Sequence, residues 1–233
     1  MLVFDIGCNR GEYTQSWLQK DPECHVVCVD ANHNFNFAYE AVEKTLSRIT
    51  FVNKLVTAKS DGTKDFFIDY GQTGISTASR EFMQESRFAK GSKNLPPNSG
   101  GWMPKPVQVQ TITLDNLIEE HGHPDIIKID VEGHEYEVIC GLSQKVSMLH
   151  FEWHEEMFDE VEKSIQHLKK IGFKEFHISG YFTTQIFNNT NNSSLSVFKG
   201  DIKKSSKFKF KRINNFNYFE PDLVYDGSSF VFF

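Results

Sequence analysis

Apolar and polar positions along the chain alternate between short β-type runs and amphipathic helical stretches. The first apolar run, 2–4, leads into a glycine-containing turn and then into a mixed polar and apolar stretch over 12–20. A second unit has a buried-type run over 25–29 and a helical pattern over 35–46. Strands that alternate with helices at this spacing predict a doubly wound α/β fold with a mostly parallel sheet.

The same alternation resumes in the second half of the chain. Predicted strands over 107–113, 125–129 and 146–151 alternate with predicted helices over 115–121, 135–142 and 156–171. Sheets of this kind bind ligands at the carboxyl ends of their strands. Here those ends are the segments after Phe4, Val29, Ile129 and Phe151.

Three segments depart from this alternation. Two β-rich runs over 49–56 and 63–68 flank Ser60-Asp61-Gly62, a composition that predicts a hairpin turn. Residues 70–106 form a long Gly, Ser, Asn and Pro-rich segment, which we interpret as a cover over a site, with an unstructured insertion as the alternative. The Lys/Phe run over 199–212 fits a solvated amphipathic strand or a basic, aromatic surface for an anionic ligand or glycan.

Composition narrows the function classes. The 233 residues carry 25 basic and 31 acidic side chains, and the net charge of −6 argues against a nucleic-acid partner. No apolar run approaches the roughly 20 residues that span a bilayer, so we expect no membrane partner. Four cysteines without a C-x-x-C spacing and the lack of signal-peptide features indicate a cytoplasmic location.

The first candidate site is the strand-to-helix turn Asp5-x-Gly7-x-Asn9-x-Gly11. Glycines let the backbone approach a ligand, and the helix N-terminus offers free N–H groups. Asp30 closes the next strand about 20 residues later, where a carboxylate can accept both hydroxyls of a ribose. A dinucleotide site would prefer G-x-G-x-x-G, so an ammonium-bearing nucleoside with its cation near Asp5 fits better.

Two further polar groups follow later strands. Asp130 and Glu132 are the strongest candidates in the first, because crowded carboxylates need a cation, a substrate or water, whereas Glu135 fits a helix first turn. In the second group, His154 lies beside Glu152 after the fifth strand. Both groups should therefore face the same crevice.

At this point the chain resembles the FkbM-type methyltransferases, which have the class I S-adenosylmethionine (SAM)-dependent fold. The resemblance rests on residues 4–14, 111–115 and 127–135, of which the last is the most specific. It covers about 2–175, and 230–233 is similar to the family's closing strand.

The resemblance implies a Rossmann-like, seven-stranded sheet whose last strand is antiparallel. It describes one domain over 1–233, with a covering insertion at 70–106 and a C-terminal elaboration over 181–229. Such enzymes usually carry a segment before the first strand that helps to cover the site. Its absence indicates a domain of a larger protein, or a homo-oligomer in which another chain supplies the cover.

The resemblance also implies SAM as the methyl donor and O-methylation of an alcohol, often on a sugar or a natural product. The implied cofactor-binding residues are Asp5, Gly7, Asn9, Gly11, Tyr13, Asp30, Ala31 and Asp130. In this chain Asp30-Ala31-Asn32 replaces the more usual Glu-Pro-Asn, which is a conservative change for ribose binding, and His134 stands where a small residue is common.

Methyl transfer to a hydroxyl requires loss of the hydroxyl proton, and two routes are open. His154 is the first candidate for a general base, because imidazole is mostly neutral at physiological pH. Alternatively, Asp130, Glu132 and Glu152 hold Mg²⁺, which lowers the pKa of the hydroxyl. The leading hypothesis is an O-methyltransferase for a carbohydrate hydroxyl, on a glycan or sugar nucleotide, with Trp102 and Tyr181 against the substrate. Alternatives are a lipid or polyketide-like alcohol as acceptor, or a catalytically idle SAM-fold binding module.

Overall fold

The structure of the protein is a computed structural model, which describes residues 1–33, 47–89, 99–173, 176–179 and 228–232. Its helices are α1 (Glu12–Lys20), α2 (Arg80–Glu85), α3 (Leu114–His121), α4 (Glu135–Cys140) and α5 (Phe158–Lys170). Its strands are β1 (Leu2–Ile6), β2 (His25–Val29), β3 (Ile49–Val52), β4 (Leu55–Val56), β5 (Thr63–Phe66), β6 (Val107–Ile112), β7 (Ile126–Ile129), β8 (Met148–Trp153), β9 (Phe176–Ser179) and β10 (Ser228–Phe232).

The main sheet confirms the mostly parallel α/β architecture. Within the described residues its strand order is β3-β2-β1-β7-β8-β10-β9. The pairs among β3, β2, β1, β7 and β8 are parallel, whereas β10 lies antiparallel to both β8 and β9. Strand order reverses between β1 and β7, so the crevice expected to bind a ligand opens where these two strands end.

Both faces of the main sheet are covered, which explains the near-continuous apolar strands. Phe4 and Ile6 on one face belong to the core cluster that contains residues of α3, α4 and α5. Val3, which points to the opposite face, belongs to a second cluster that contains Tyr13 and Leu18 of α1. Strands buried on both sides favour nearly continuous apolar residues, and β1 and β7 follow this pattern except at the buried Asp5 and Lys128.

A smaller sheet corrects the hairpin prediction. β5 pairs antiparallel with β6, and β4 pairs parallel with the same strand, while β3 belongs to the main sheet. The chain does bend at Asp61 and Gly62, and Gly62 has a φ of 130°. The turn composition was informative, but the strand that β5 pairs with lies more than 40 residues further on.

Several predicted features fall outside the described residues: the helix over 35–46, the Lys/Phe run over 199–212 and Tyr181. In the described part of 70–106, a 3₁₀ turn, Thr73–Ile75, precedes α2. Among the described helices, none has the length and apolar character that a bilayer crossing requires.

Candidate active site

The turn after β1 is held tightly against the end of β7. Gly7 has a φ of 73°, and a Cβ placed there would lie 1.7 Å from the carbonyl oxygen of Asp130. Gly11, with a φ of 76°, precedes α1 and has no side chain to cap the helix N-terminus. Glycine is therefore required at position 7 by close backbone packing, and at position 11 it leaves the first-turn N–H groups of α1 open to a ligand.

Asp30 lies at the end of β2, on the other side of this turn. Its Oδ2 accepts a hydrogen bond of 2.8 Å from the Asn9 backbone N–H, and its Oδ1 accepts one of 2.8 Å from that of Asn32. Burial raises the pKa of Asp30 to about 6, despite these two hydrogen bonds that favour ionisation. The carboxylate thus orients the glycine turn and still has lone pairs for a bound hydroxyl.

Asp5 is fully buried, and its contacts are within the protein. Its Oδ2 accepts a hydrogen bond of 2.6 Å from the Thr14 hydroxyl, and its Oδ1 lies 3.1 Å from Lys128 Nζ. The carboxylate therefore ties β1 to α1 and β7. Because the Asp5 carboxylate is buried, its charge would act on a bound cation through this network and not by direct contact.

Lys128 is a site residue that the sequence analysis left unassigned. Its side chain is 4% exposed, and its Nζ donates a hydrogen bond of 2.8 Å to the Gly7 carbonyl. The same Nζ lies 3.1 Å from Asp5 and 3.5 Å from Asp130. The available signal was a lysine at the centre of the buried run Ile-Lys-Ile of β7, because a buried lysine needs anionic partners.

Asp130 continues the polar network from Lys128 towards β8. Burial opposes ionisation of its carboxyl group, but the charge of Lys128 and a hydrogen bond from Glu152 outweigh this and lower the pKa of Asp130. The pKa of Glu152 is raised well above its ordinary value by burial and by the charges of Asp130 and Glu132. Burial and the charges around this pair therefore shift the pKa values of Asp130 and Glu152 in opposite directions.

His154, Glu132 and Glu152 form a compact cluster at the carboxyl ends of β7 and β8. His154 Nε2 lies 3.7 Å from Glu132 Oε2 and 3.6 Å from Glu152 Oε2. One ligand atom from each residue lies within 4.8 Å of the others. The structure thus brings together two predicted carboxylates and the predicted histidine, while Asp130 of the expected metal set contacts Lys128 instead.

Burial controls the protonation of this cluster. Desolvation, with a smaller contribution from Arg87, lowers the pKa of His154 to about 4. Desolvation and the charges of Asp130 and Glu135 raise the pKa of Glu132 well above its ordinary value. The imidazole is consequently neutral near pH 7, with a ring nitrogen able to accept a proton or bind a cation.

Residues of the 70–106 segment pack directly on this cluster. The Phe82 ring is fully buried, and its centroid lies 4.8 Å from that of His154. The Thr77 hydroxyl donates a hydrogen bond of 2.6 Å to the Glu132 carbonyl, where the backbone has a φ of 55°. A Cβ at Gly133 would lie 2.7 Å from Phe82 Cβ, so a glycine is needed for this close contact.

The remaining predicted residues occupy different surroundings. Tyr13 is 3% exposed and packs edge-on against Trp17 and His150, and Ala31 is buried in the core cluster beside the small sheet. Trp102 Nε1 donates a hydrogen bond of 2.6 Å to the Ile75 carbonyl, and its ring centroid lies 6.1 Å from that of Phe82. Trp102 thus belongs to the aromatic group above the cluster.

Glu135 occupies the first turn of α4, where an acidic residue was expected to fit the helix. Its carboxylate is also buried and accepts hydrogen bonds of 3.0 Å from the backbone N–H groups of Val131 and Gly133. Burial raises the pKa of Glu135 to about 8. This side chain shapes the loop that carries Glu132.

Comparison with known sequences yields two matches. A family model described as the methyltransferase FkbM domain matches residues 5–175. The chain is also 26% identical over 153 residues to the hexuronic acid methyltransferase AglP of Haloferax volcanii. That alignment covers 64% of this chain and 53% of the relative, so the match spans about half of AglP.

Comparison with solved structures gives looser matches. Precorrin-6y C5,15-methyltransferase from Geobacter metallireducens has 11% identity and a TM-score of 0.42, over 77% of this chain and 66% of that one. The methyltransferase domain of bacterial CtHen1 has 13% identity and a TM-score of 0.38, over 76% and 79% of the two chains. Neither score supports an inference about function.

Proposed function

This chain belongs to the FkbM methyltransferase family, and from that premise we propose that it transfers the methyl group of SAM to a carbohydrate hydroxyl, on a glycan or a sugar nucleotide. The carbohydrate part of the proposal is supported by the partial match to a relative named for hexuronic acid. The observation that carries the proposal is the cluster of His154, Glu132 and Glu152 one strand away from the glycine turn.

The glycine turn has the groups that SAM requires. Asp30 presents a carboxylate to the ribose hydroxyls, and the uncapped first turn of α1 offers N–H groups. Gly7, Asn9 and Gly11 shape the turn, and Asn9 has a left-handed φ of 42°. The buried residues Asp5 and Lys128 hold this turn in place, because Lys128 contacts Asp5 and donates a hydrogen bond to the Gly7 carbonyl.

Bound SAM would supply an activated methyl carbon, whose bond to sulfur breaks while the electron pair stays on sulfur. The acceptor hydroxyl oxygen forms the new bond to that carbon, and its proton must leave. Alignment of the two reactants across the β1–β7 crevice can provide several kcal/mol of the rate enhancement. The protein contribution is thus positioning and removal of one proton.

The proton-accepting group is expected in the cluster at the ends of β7 and β8. His154 is the first candidate, because burial keeps its imidazole neutral and its Nε2 faces Glu132 and Glu152. The oxygens of these two residues can accept the N–H of the imidazolium that forms. Asp130, linked to Lys128 and Glu152, joins the cofactor turn to this cluster.

Trp102 fits a sugar acceptor, whereas the fully buried Phe82 supports its ring from within the protein. Phe82 and Trp102 pack edge to face at 6.1 Å, and Trp102 is partly exposed. Aromatic faces pack well against the apolar faces of sugar rings. Residues 70–89 and 99–106 would accordingly act as a cover over the acceptor.

The proposal is tested with labelled SAM and a panel of hexuronic-acid oligosaccharides and sugar nucleotides, analysed by mass spectrometry. We expect one methyl group to be added to at least one acceptor. His154→Ala should reduce kcat by about 10²–10⁴-fold while SAM binding, measured by calorimetry, stays unchanged. Asp30→Asn should show the reverse pattern, with weaker SAM binding.

Two outcomes would contradict this function. Failure of the intact protein to bind either SAM or its demethylated product would favour a binding module without catalysis. Undiminished turnover by His154→Ala would remove His154 from proton transfer. Exposed His25 offers a control, since His25→Ala alters a histidine on the solvent side of β2.

A further inference from the structure

Four buried polar atoms in the cluster have no hydrogen-bond partner among the described residues. They are both ring nitrogens of His154, Glu132 Oε2 and Glu152 Oε2. His154 is only 2% exposed, and its Nε2 is aimed between the two carboxylates. Unsatisfied buried polar groups are few in native proteins, and several that converge on one point indicate a missing ion or ligand.

The spacing of these atoms matches a single metal ion. Ligand bonds of about 2.1 Å place neighbouring donors about 3.0 Å apart around an octahedral ion and about 3.4 Å apart around a tetrahedral one. The observed separations from His154 Nε2 are 3.6 and 3.7 Å, and the whole set lies within 4.8 Å. Rotation of one carboxylate side chain, which moves its oxygen by a few tenths of an ångström to about one ångström, would bring all three donors to this spacing.

We propose that Glu132, Glu152 and His154 bind one divalent transition-metal cation, for which Mn²⁺ is the matching probe. Two carboxylates and one imidazole form a mixed oxygen and nitrogen set, whereas Mg²⁺ prefers oxygen ligands alone. The sequence predicted a metal set of Asp130, Glu132 and Glu152. In the proposed set His154 takes the place of Asp130, which contacts Lys128 instead. Asp130 instead orients Glu152 through their hydrogen bond.

The role of the ion rests on the proposed methyl transfer. Three protein ligands leave coordination positions open, as in catalytic metal sites. An acceptor hydroxyl bound there has a lower pKa, and its proton passes to solvent as the oxygen forms its bond to the methyl carbon. In the metal-loaded protein His154 is a ligand, so the ion takes the place of the general base that His154 would provide in the metal-free cluster.

Mn²⁺ binding to the full chain, stripped with chelator and then freed of it, provides the test. Calorimetry and electron paramagnetic resonance in the absence of SAM should show one Mn²⁺ per chain. Glu152→Gln, which preserves side-chain volume, and His154→Ala should each weaken binding by at least about tenfold. The Glu152→Gln variant keeps the test valid if loss of the buried imidazole prevents folding.

A matched control exists on α3. His121 Nε2 lies 3.7 Å from Glu120 Oε2, the same separation as in the cluster, but no second carboxylate joins this pair within the part of the chain that the structure describes. His121→Ala should leave Mn²⁺ affinity unchanged. Absence of stoichiometric Mn²⁺ binding, or equal affinity in Glu152→Gln, overturns the site.

The catalytic role is tested separately. Methyl transfer should fall at least tenfold in chelator and recover with Mn²⁺, and full turnover in chelator would overturn the role of the ion while leaving the methyltransferase function intact. Conversely, Mn²⁺ binding without methylation of any acceptor would support the site and count against the proposed function.

Discussion

At the scale of single residues, Lys128 determines how the two halves of the site are joined. Its ammonium group contacts Asp5 beneath the glycine turn and Asp130 beside the acidic cluster. It also donates a hydrogen bond to the Gly7 carbonyl. A buried cation with two carboxylate partners holds the backbone of the site in place, because the fully buried carboxylate of Asp5 would otherwise lack a counter-charge.

Replacement of Lys128 by methionine should therefore be strongly destabilising. We expect Lys128→Met to lower the free energy of unfolding by about 3–5 kcal/mol, because the carboxylate of Asp5 stays buried without its partner. Urea denaturation measures the change. The control is Lys54→Met, which removes an exposed pair with Glu120 at 3.9 Å and should cost under about 1 kcal/mol. Equal effects of the two substitutions would contradict the assignment.

At the scale of elements, the sequence predicted what depends on local pattern. The strand–turn–helix unit around Gly7 and the buried strands β7 and β8 followed from apolar runs and turn residues. These strands also placed Glu132, Glu152 and His154 at one edge of the sheet, because parallel strands share their carboxyl ends.

The sequence pattern missed features that depend on distant pairing. β5 was expected to form a hairpin with the run before it, but the structure pairs β5 with β6. Register between distant strands is set by packing and not by turn composition alone. For the same reason, the contact of Phe82 with His154 could not be read from the sequence.

α2 is the element that fixes the position of His154 from above. Its N-cap, Ser79, accepts a hydrogen bond of 3.0 Å from the Phe82 N–H, and this orients the buried Phe82 ring. We expect Phe82→Ala to destabilise the fold by about 3–5 kcal/mol, because it leaves a cavity in the core. It should also reduce kcat, because the imidazole of His154 loses the ring that holds it in position. Denaturation and turnover assays provide the measurement.

A surface aromatic residue in the same segment serves as the control for Phe82. Tyr70 is 55% exposed, so Tyr70→Ala should change stability by no more than about 0.5 kcal/mol. A Phe82→Ala protein with unchanged stability and unchanged kcat would show that α2 does not support the site.

At the scale of the whole molecule, buried ionisable groups make the free energy of unfolding depend on pH: one group lowers it as the pH falls, and another lowers it as the pH rises. Burial lowers the pKa of His134 to about 4, well below its ordinary value of 6.5. The unfolded chain therefore takes up a proton between pH 6.5 and 4 that the folded chain does not, and stability falls with falling pH. Glu135, with its pKa raised to about 8, has the opposite effect: its contribution is lost as pH rises from about 4.5 to 8.

His134→Gln should reduce the acid sensitivity of the protein. We expect the wild-type protein to lose on the order of 1–2 kcal/mol more than the variant between pH 7 and pH 5, since only His134 is removed from the proton balance. Urea denaturation at the two pH values measures this difference. His25→Gln, at an exposed position, should retain the wild-type loss, and an unchanged loss in His134→Gln would contradict the pKa shift.

The antiparallel strand β10 has a consequence for synthesis on the ribosome. β10 lies between β8 and β9, although β9 precedes it in the chain, so β8 gains its second neighbour only when residues 228–232 arrive. Until then a nascent chain presents the hydrogen-bonding edge of β8 directly beside Glu152 and His154, and such open edges attract other strands. Glu152 of the cluster therefore gains its cross-strand partner, Ser229, only after residues 228–232 have been made.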